Sequence, residues 1–144
     1  MSCVMPSSSV AVLEGVEIKR LTRKTDERGW LAEILKAGEG VTPGFGQMFV
    51  TVALPGVTKG GHYHSRKVEW FCVVQGTARL VLHELATDQR FEVEMGDGNL
   101  VTVRIPPGVG HAITNTGEDV MMLLVYAEEV FDPADPDTFA WNES

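Results

Sequence analysis

The stretch Gly61-His62-Tyr63-His64-Ser65-Arg66-Lys67-Val68-Glu69-Trp70-Phe71-Cys72-Val73-Val74-Gln75-Gly76 decides how the chain is read. Strand side chains alternate with period two, so His62 and His64 project from one face and both imidazoles can reach one point. Four residues separate His64 from Glu69, room for a short turn, and the β-rich run Glu69 to Val74 stops at the turn pair Gln75-Gly76. Far downstream, Ile105-Pro106-Pro107-Gly108-Val109-Gly110-His111-Ala112-Ile113-Thr114-Asn115 offers a third imidazole just after a Pro-Gly turn, where the chain re-enters a sheet. Three of the four histidines lie in these two segments. Three imidazoles and one carboxylate make a site for a divalent first-row metal, since imidazole suits Zn, Fe, Ni and Cu while one hard oxygen keeps Mn in range.

Outward from this stretch the pattern stays that of strands. Val16 to Thr22 alternates apolar and polar residues, a strand with one wet face. After a turn at Thr25 to Gly29, Trp30 to Lys36 reads as a second strand, with a short helix as the alternative because Ala, Glu, Leu and Lys favour one. A glycine-rich loop leads to Gln47–Leu54, β-branched and aromatic and bounded by Pro55-Gly56. Thr77 to Leu85 and Arg90 to Met95 read as a hairpin, with Leu100 to Ile105 and Val120 to Ala127 as further strands. Many short strands between Gly and Pro turns, with almost no helical period, predict an all-β domain, a double-sheet jelly-roll sandwich.

Period-two parity from Glu69 turns Phe71 and Val73 inward and, across the Gln75-Gly76 turn, Ala78, Leu80 and Leu82, so a greasy pocket walled by Phe71 and Leu80 is expected. His83 then faces away, unless a bulge reverses its strand. Asp132-Pro133 and Asp135-Pro136 read as a rigid extended tail lying across a neighbouring element.

A chain of 144 residues suits one domain, divided here into a flexible N-terminal arm over 1–12 and a folded unit over 13–144. The net charge of -8, from 12 basic and 20 acidic residues with no basic run, disfavours nucleic acid as a partner. Cys3 and Cys72 are too few for a disulfide framework. The opening residues lack a basic n-region, and Val10-Ala11-Val12-Leu13 is too short for a signal core or a membrane span, so a soluble cytoplasmic protein with no membrane partner is expected. Exposed edge strands and the apolar arm point to a homodimer.

The order HxH, four residues, Glu, six residues, Gly, then PxG, two residues, His, three residues, Asn resembles both signature motifs of the cupin superfamily. That resemblance makes His62, His64, Glu69 and His111 the metal ligands, with Zn2+ the expected ion and Fe2+, Ni2+ or Mn2+ as alternatives; some sugar-modifying cupins work without any ion and use the histidine as a base. Asp26-Glu27-Arg28-Gly29-Trp30, then Gly56 to His64, then Val130 to Phe139 together resemble the C-terminal cupin domain of the reductase/epimerase of capsular polysaccharide synthesis. More distantly they resemble the dTDP-4-dehydrorhamnose 3,5-epimerases and the 3,4-ketoisomerases.

The resemblance implies substrate-site roles for Arg28, Lys59 and His62, the last two catalytic, and puts Gln47, Phe49 and Thr51 on the strand that holds the sugar. Phe49 and Ala53 stand where polar groups are usual in those relatives, and Tyr126 falls one position from their tyrosine acid. Tyr63, Tyr126 and Glu33 are the side chains considered for proton transfer, besides a bound hydroxide.

The implied chemistry is removal of a proton next to a carbonyl, giving epimerisation or isomerisation of a 4-keto sugar nucleotide, with the metal polarising the carbonyl or lowering the pKa of a bound water to about 7. An apolar cavity with an ion at its base also suits a flat poly-carbonyl molecule, as in the aromatic polyketide cyclases that share the fold. A non-catalytic ligand-binding cupin is the third reading, and a cupin dioxygenase ranks below these. Sugar-nucleotide work requires cationic side chains at the cavity, whereas a cyclase requires an aromatic and Met-lined hole.

Overall fold

Alternation becomes strands along nearly the whole chain in the computed structural model, which describes residues 9–142. Of the arm expected over 1–12, residues 1–8 lie outside the described residues, and Ser9–Leu13 forms strand β1. There follow β2 (Val16–Arg20), β3 (Lys24–Asp26), β4 (Gly29–Leu31), β5 (Gln47–Ala53), β6 (Thr58–Tyr63) and β7 (Glu69–Gln75). The second half holds β8 (Thr77–Glu84), β9 (Gln89–Gly96), β10 (Val101–Ile105), β11 (Val109–Asn115), β12 (Met121–Ala127) and β13 (Phe139–Ala140). Among the described residues no helix is long and apolar enough to cross a membrane.

Two antiparallel sheets face each other, one in the order β1-β2-β10-β7-β12-β5 and the other β13-β6-β11-β8-β9, with β3-β4 as a separate ribbon. This is the expected all-β jelly-roll domain. Its core lies between the sheets: Phe71 and Val73 of β7, Val103 and Ile105 of β10 and Leu123 and Val125 of β12 meet Leu80 and Leu82 of β8 and Ile113 of β11. Inward parity across the β7–β8 turn therefore runs as read from the sequence. Leu80, Leu82 and Ile113 are fully buried, and truncating such a side chain to Ala costs about 2–5 kcal/mol.

Trp30 to Lys36 departs from its expected strand. Only Gly29–Leu31 pairs, with Lys24–Asp26, and neither the longer strand nor the short helix forms. The physical reason is that residues 32–41 lie against the outer face of the larger sheet: Ala32 and Ile34 pack on Leu21, Cys72 and Leu100, and Leu35 and Val41 on Val68, Trp70 and Tyr126. A segment laid flat on a sheet has no edge to pair with. Its anchoring bond is instead the Thr102 hydroxyl, which donates to the Ile34 carbonyl at 3.1 Å.

One irregularity positions the site. The β6–β11 register slips between His111, opposite His62, and Ala112, opposite Gly60, leaving Gly61 as the extra residue of a bulge. Gly60 and Gly61 both take left-handed φ, of 91° and 82°. The bulge reverses parity along β6, so Lys59, opposite inward Ile113, and His62, opposite inward His111, point to the same side.

Candidate active site

His62 and His64 come from the bulged end of β6 and the residue after it, Glu69 from the first residue of β7, and His111 from β11 between inward-facing Val109 and Ile113. One ring nitrogen from each of the three imidazoles lies within 4.8 Å of the other two, and the rings are 4.8 to 5.4 Å apart between centroids. Glu69 joins them: its Oε1 stands 3.1 Å from His64 Nε2 and 3.6 Å from His111 Nε2. The four side chains read as a donor set thus converge, from both sheets, at one end of the core.

Ring orientation is set from behind. His64 Nδ1–H donates to the Asp137 carbonyl at 2.7 Å, and His111 Nδ1–H donates to the Val109 carbonyl at 3.1 Å. A carbonyl only accepts, so each Nδ1 carries the proton and each Nε2 turns a lone pair into the site. With His64 neutral, two imidazole lone pairs and a carboxylate oxygen then face one another without a donor between them. A proton on His64 Nε2 satisfies the 3.1 Å contact but leaves buried His111 Nε2, which has no hydrogen-bond partner among the described residues, still unmatched. A divalent cation satisfies all of them, and tetrahedral bonds of about 2.0–2.2 Å separate neighbouring donor atoms by roughly 3.4 Å, between the two observed distances. The donors present fit such an ion.

The electrostatics separate His64 from the other two imidazoles. Burial lowers the His111 pKa to about 4 against the pull of Glu69, and burial followed by the His64 charge lowers that of His62, so both present neutral rings. Burial also works against protonated His64, but the Glu69 carboxylate and the Asp137 carbonyl outweigh it and raise its pKa. For Glu69, burial pushes upward, and the His64 hydrogen bond with the three neighbouring imidazoles overcomes it, so the carboxylate is held ionised.

The site opens into a cavity of about 390 Å3 lined by Gln47, Phe49, His62, His64 and Glu69, and also by Lys67, Ala127, Glu129, Phe131 and Thr138. The second group was not among the sequence-derived site residues. Lys67 is 4% exposed, faces the Phe131 ring at 5.6 Å and has no carboxylate within ion-pair distance among the described residues. Glu129 is held by the Arg66 guanidinium at 2.7 Å. A signal existed for these residues: Lys67 sits between the HxH pair and Glu69, and Phe131 and Thr138 bound the Asp-Pro repeat.

Several expected residues stand elsewhere. Tyr126 follows inward Val125 and so faces outward, packing on Trp70 and Phe45 while its hydroxyl accepts the Gly46 N–H at 3.1 Å. Tyr63 alternates away from His62 and His64 and stacks on Phe139 at 5.3 Å. Glu33 is exposed and bound to Lys24. None of the three reaches the imidazoles.

Phe71 and Leu80 are core residues and do not line the cavity, although Phe71 meets the His111 ring edge-on at 5.5 Å. Lys59 and Thr51 are also outside the lining; the ammonium donates to Thr51 Oγ1 at 2.6 Å and to the Val52 carbonyl at 2.9 Å, tying β6 to β5. Arg28 sits at the exposed tip of β3-β4, bound to Asp26 at 2.6 Å. Gln47 keeps its place at the cavity, where its Oε1 accepts the Phe131 N–H at 2.8 Å. His83 faces away from Glu69, as parity requires, and bonds to Asp88 and Trp141.

Comparison with known proteins follows the same lines. A Pseudomonas aeruginosa protein named UDP-2-acetamido-2,6-beta-L-arabino-hexul-4-ose reductase is 40% identical over 116 residues, which is 81% of this chain but 30% of that protein, so the chain spans under a third of its length. The Bacillus subtilis spore coat polysaccharide biosynthesis protein SpsL is 30% identical over 131 residues, covering 88% of this chain and 87% of SpsL. A dTDP sugar isomerase from Desulfovibrio desulfuricans shares the fold, with a TM-score of 0.82 at 21% identity over 93% of this chain and 90% of its own. The family model described as polysaccharide biosynthesis C-terminal domain matches residues 24–139, most of the chain from the β3-β4 ribbon to β13, and the protein belongs to that family.

Proposed function

We propose that the protein is a metal-dependent epimerase or isomerase that enolises a keto sugar carried on a nucleotide. One observation carries the reading: in a buried pocket the Glu69 carboxylate faces the inward Nε2 atoms of His64 and His111 at 3.1 and 3.6 Å, and His111 Nε2 has no hydrogen-bond partner among the described residues. His62, His64, Glu69 and His111 would hold the ion, Zn2+ first among the candidates. The ion, when bound, polarises a keto oxygen and makes the adjacent carbon acidic. Of the lining residues outside this set, Glu129 can accept the proton from that carbon while the C–H electron pair forms a carbon–carbon double bond and the carbonyl π pair moves onto the keto oxygen. The Lys67 ammonium can face the enolate so formed, and a proton delivered by solvent water to the other face of the carbon gives the epimer, Glu129 returning its own proton to solvent.

The substrate class draws support from the relatives: the Pseudomonas protein is named for a nucleotide-linked hexulose, and the Desulfovibrio protein for a dTDP sugar. The lining adds to it. Lys67 and Glu129 stand in the cavity, whereas a cyclase calls for an aromatic and Met-lined hole. A homodimer belongs to the same reading, because edge strand β5 exposes Met48, Val50 and Val52 at 49%, 55% and 41%; sedimentation velocity giving a monomer at micromolar concentration would remove that part.

Incubation with a nucleotide-linked 4-keto-6-deoxyhexose in D2O tests the chemistry. The expected result is deuterium entering the carbon next to the carbonyl, lost on chelation and restored by Zn2+. No exchange in the Zn2+-loaded protein sinks the proposal. Exchange that survives chelation in metal-free protein but is lost in His62→Asn transfers the role of base to His62 and removes the ion.

A further inference from the structure

The C-terminal tail crosses the β6–β7 loop behind the imidazoles, and one residue makes most of the polar contacts there. Asp137 is 3% exposed and takes a left-handed φ of 49°, a conformation tolerated by Asp and Asn and free of strain only for Gly. Its carboxylate accepts the N–H groups of Ser65 at 2.9 Å and of Arg66 and Lys67 at 3.1 Å each, together with the Ser65 hydroxyl. Three successive N–H groups aimed at one anion form a nest. Burial opposes the carboxylate's charge, yet the Ser65 hydroxyl and these N–H groups hold its pKa well below the usual carboxylate range. The same residue's carbonyl accepts His64 Nδ1–H at 2.7 Å. Beyond it, β13 pairs with Tyr63 and His62, and the Trp141 N–H donates to the Gly61 carbonyl at 2.9 Å.

The carboxylate therefore fixes where the carbonyl lies, and the carbonyl fixes which nitrogen of His64 carries the proton. We propose that Asp137 is the positioning residue of this site: seated in the 65–67 nest, it locks His64 in the Nδ1–H tautomer with Nε2 turned to the ion, and it holds the backbone from which Lys67 reaches the cavity. The ion-binding half of this statement rests on the metal reading above. His111 needs no such aid, because its Nδ1 partner is Val109 on its own strand. His64 lies just past the end of β6, and its orienting partner is separated from it by 73 positions in sequence.

Asp137→Gly deletes the carboxylate while allowing the same backbone angle, and Asp137→Asn offers one acceptor oxygen in place of two for four donors. Two measurements are made on each: Zn2+ affinity by competition with a chromophoric chelator, and histidine tautomers of the metal-free protein by long-range 1H–15N correlation at a pH alkaline enough for the His64 ring to be neutral. Asp137→Gly is expected to weaken Zn2+ binding by about 10–100-fold, the usual effect of losing an orienting partner, and Asp137→Asn by roughly 3–10-fold. In Asp137→Gly the His64 proton spreads over both ring nitrogens while His111 stays Nδ1–H, a change that general loosening of the tail would not confine to one ring. A folded Asp137→Gly protein with wild-type affinity and an unchanged His64 tautomer overturns the proposal. If that variant does not fold, Asp137→Asn decides, and unchanged values there overturn it equally. Failure of wild-type protein to bind Zn2+ refutes the metal reading alone, and the tautomer measurement then judges Asp137 by itself.

Discussion

His83 and His111 stand on adjacent strands of one sheet and point to opposite faces of it, His83 opposite Gly110 and His111 opposite Leu82 in the β8–β11 register. Outside, His83 Nδ1 accepts the Trp141 indole N–H at 2.9 Å and Nε2–H donates to Asp88 at 2.6 Å, so each nitrogen has a complementary partner. Inside, His111 donates from Nδ1 and leaves Nε2 facing a carboxylate at 3.6 Å. The first arrangement is complete as it stands; in the second, His111 Nε2 has no hydrogen-bond partner among the described residues. Residue type and burial alone would not separate them, since the His83 side chain is only 12% exposed. The pairing of donors and acceptors does.

The largest expected effect comes from breaking the inner arrangement. His111→Ala removes a ligand outright and should lower both Zn2+ affinity and D2O exchange by more than the about 100-fold that an orienting residue can account for. His83→Phe should leave both within about twofold and instead cost about 1–2 kcal/mol of unfolding free energy, from the two lost hydrogen bonds and the Trp141 N–H left behind. Chelator competition and urea unfolding on the same two proteins read these outcomes. A His83→Phe protein that no longer exchanges deuterium would mean that the outer cluster is part of the site, and the contrast would collapse.

Much of this geometry was legible in the sequence. Period-two alternation marks His62 and His64 as a pair, and parity across Gln75-Gly76 directs Phe71 and Leu80 inward and His83 outward. Alternation does not report which inward residues fill the core and which border the cavity. Phe71 and Leu80 proved to be core, and beside the imidazoles and Glu69 the cavity wall comes from Gln47 and Phe49 of β5, the end of β12, the tail and the β6–β7 loop. Nor does alternation survive a bulge. Lys59 and His62 share a face only because Gly61 is inserted, and the glycine pair by itself reads equally well as a turn. Asp137 was hidden for a different reason: its partners lie 70 to 73 positions away, and a Pro-Asp-Thr segment carries no local pattern that points to them. The segment from Trp30 to Lys36 misled because good helix and strand formers were placed where the fold offers neither an edge nor room for a helix.

The smallest effect sharpens the inner and outer contrast on a single strand, where Phe71 and Cys72 are neighbours on opposite faces of β7. Phe71 supports the His111 ring, while Cys72, 1% exposed, packs with Leu21 and Leu100 beneath Ala32 and Ile34. Burial pushes its thiol pKa up to about 11, with a Thr102 hydrogen bond and the Arg23 charge opposing. An acid whose folded pKa is raised keeps its proton in the native state while the unfolded chain loses it. The stabilisation is therefore full below the ordinary thiol pKa near 9 and disappears as pH rises through about 11. Two pKa units correspond to about 2–3 kcal/mol. Cys72→Ala should lose packing at every pH but lack this slope, so the gap in unfolding free energy between wild type and variant should narrow by about that amount from pH 8 to pH 11. A gap that stays constant would show that the thiol ionises in place, and with it that the cover formed by residues 32–41 opens to water more readily than its packing implies.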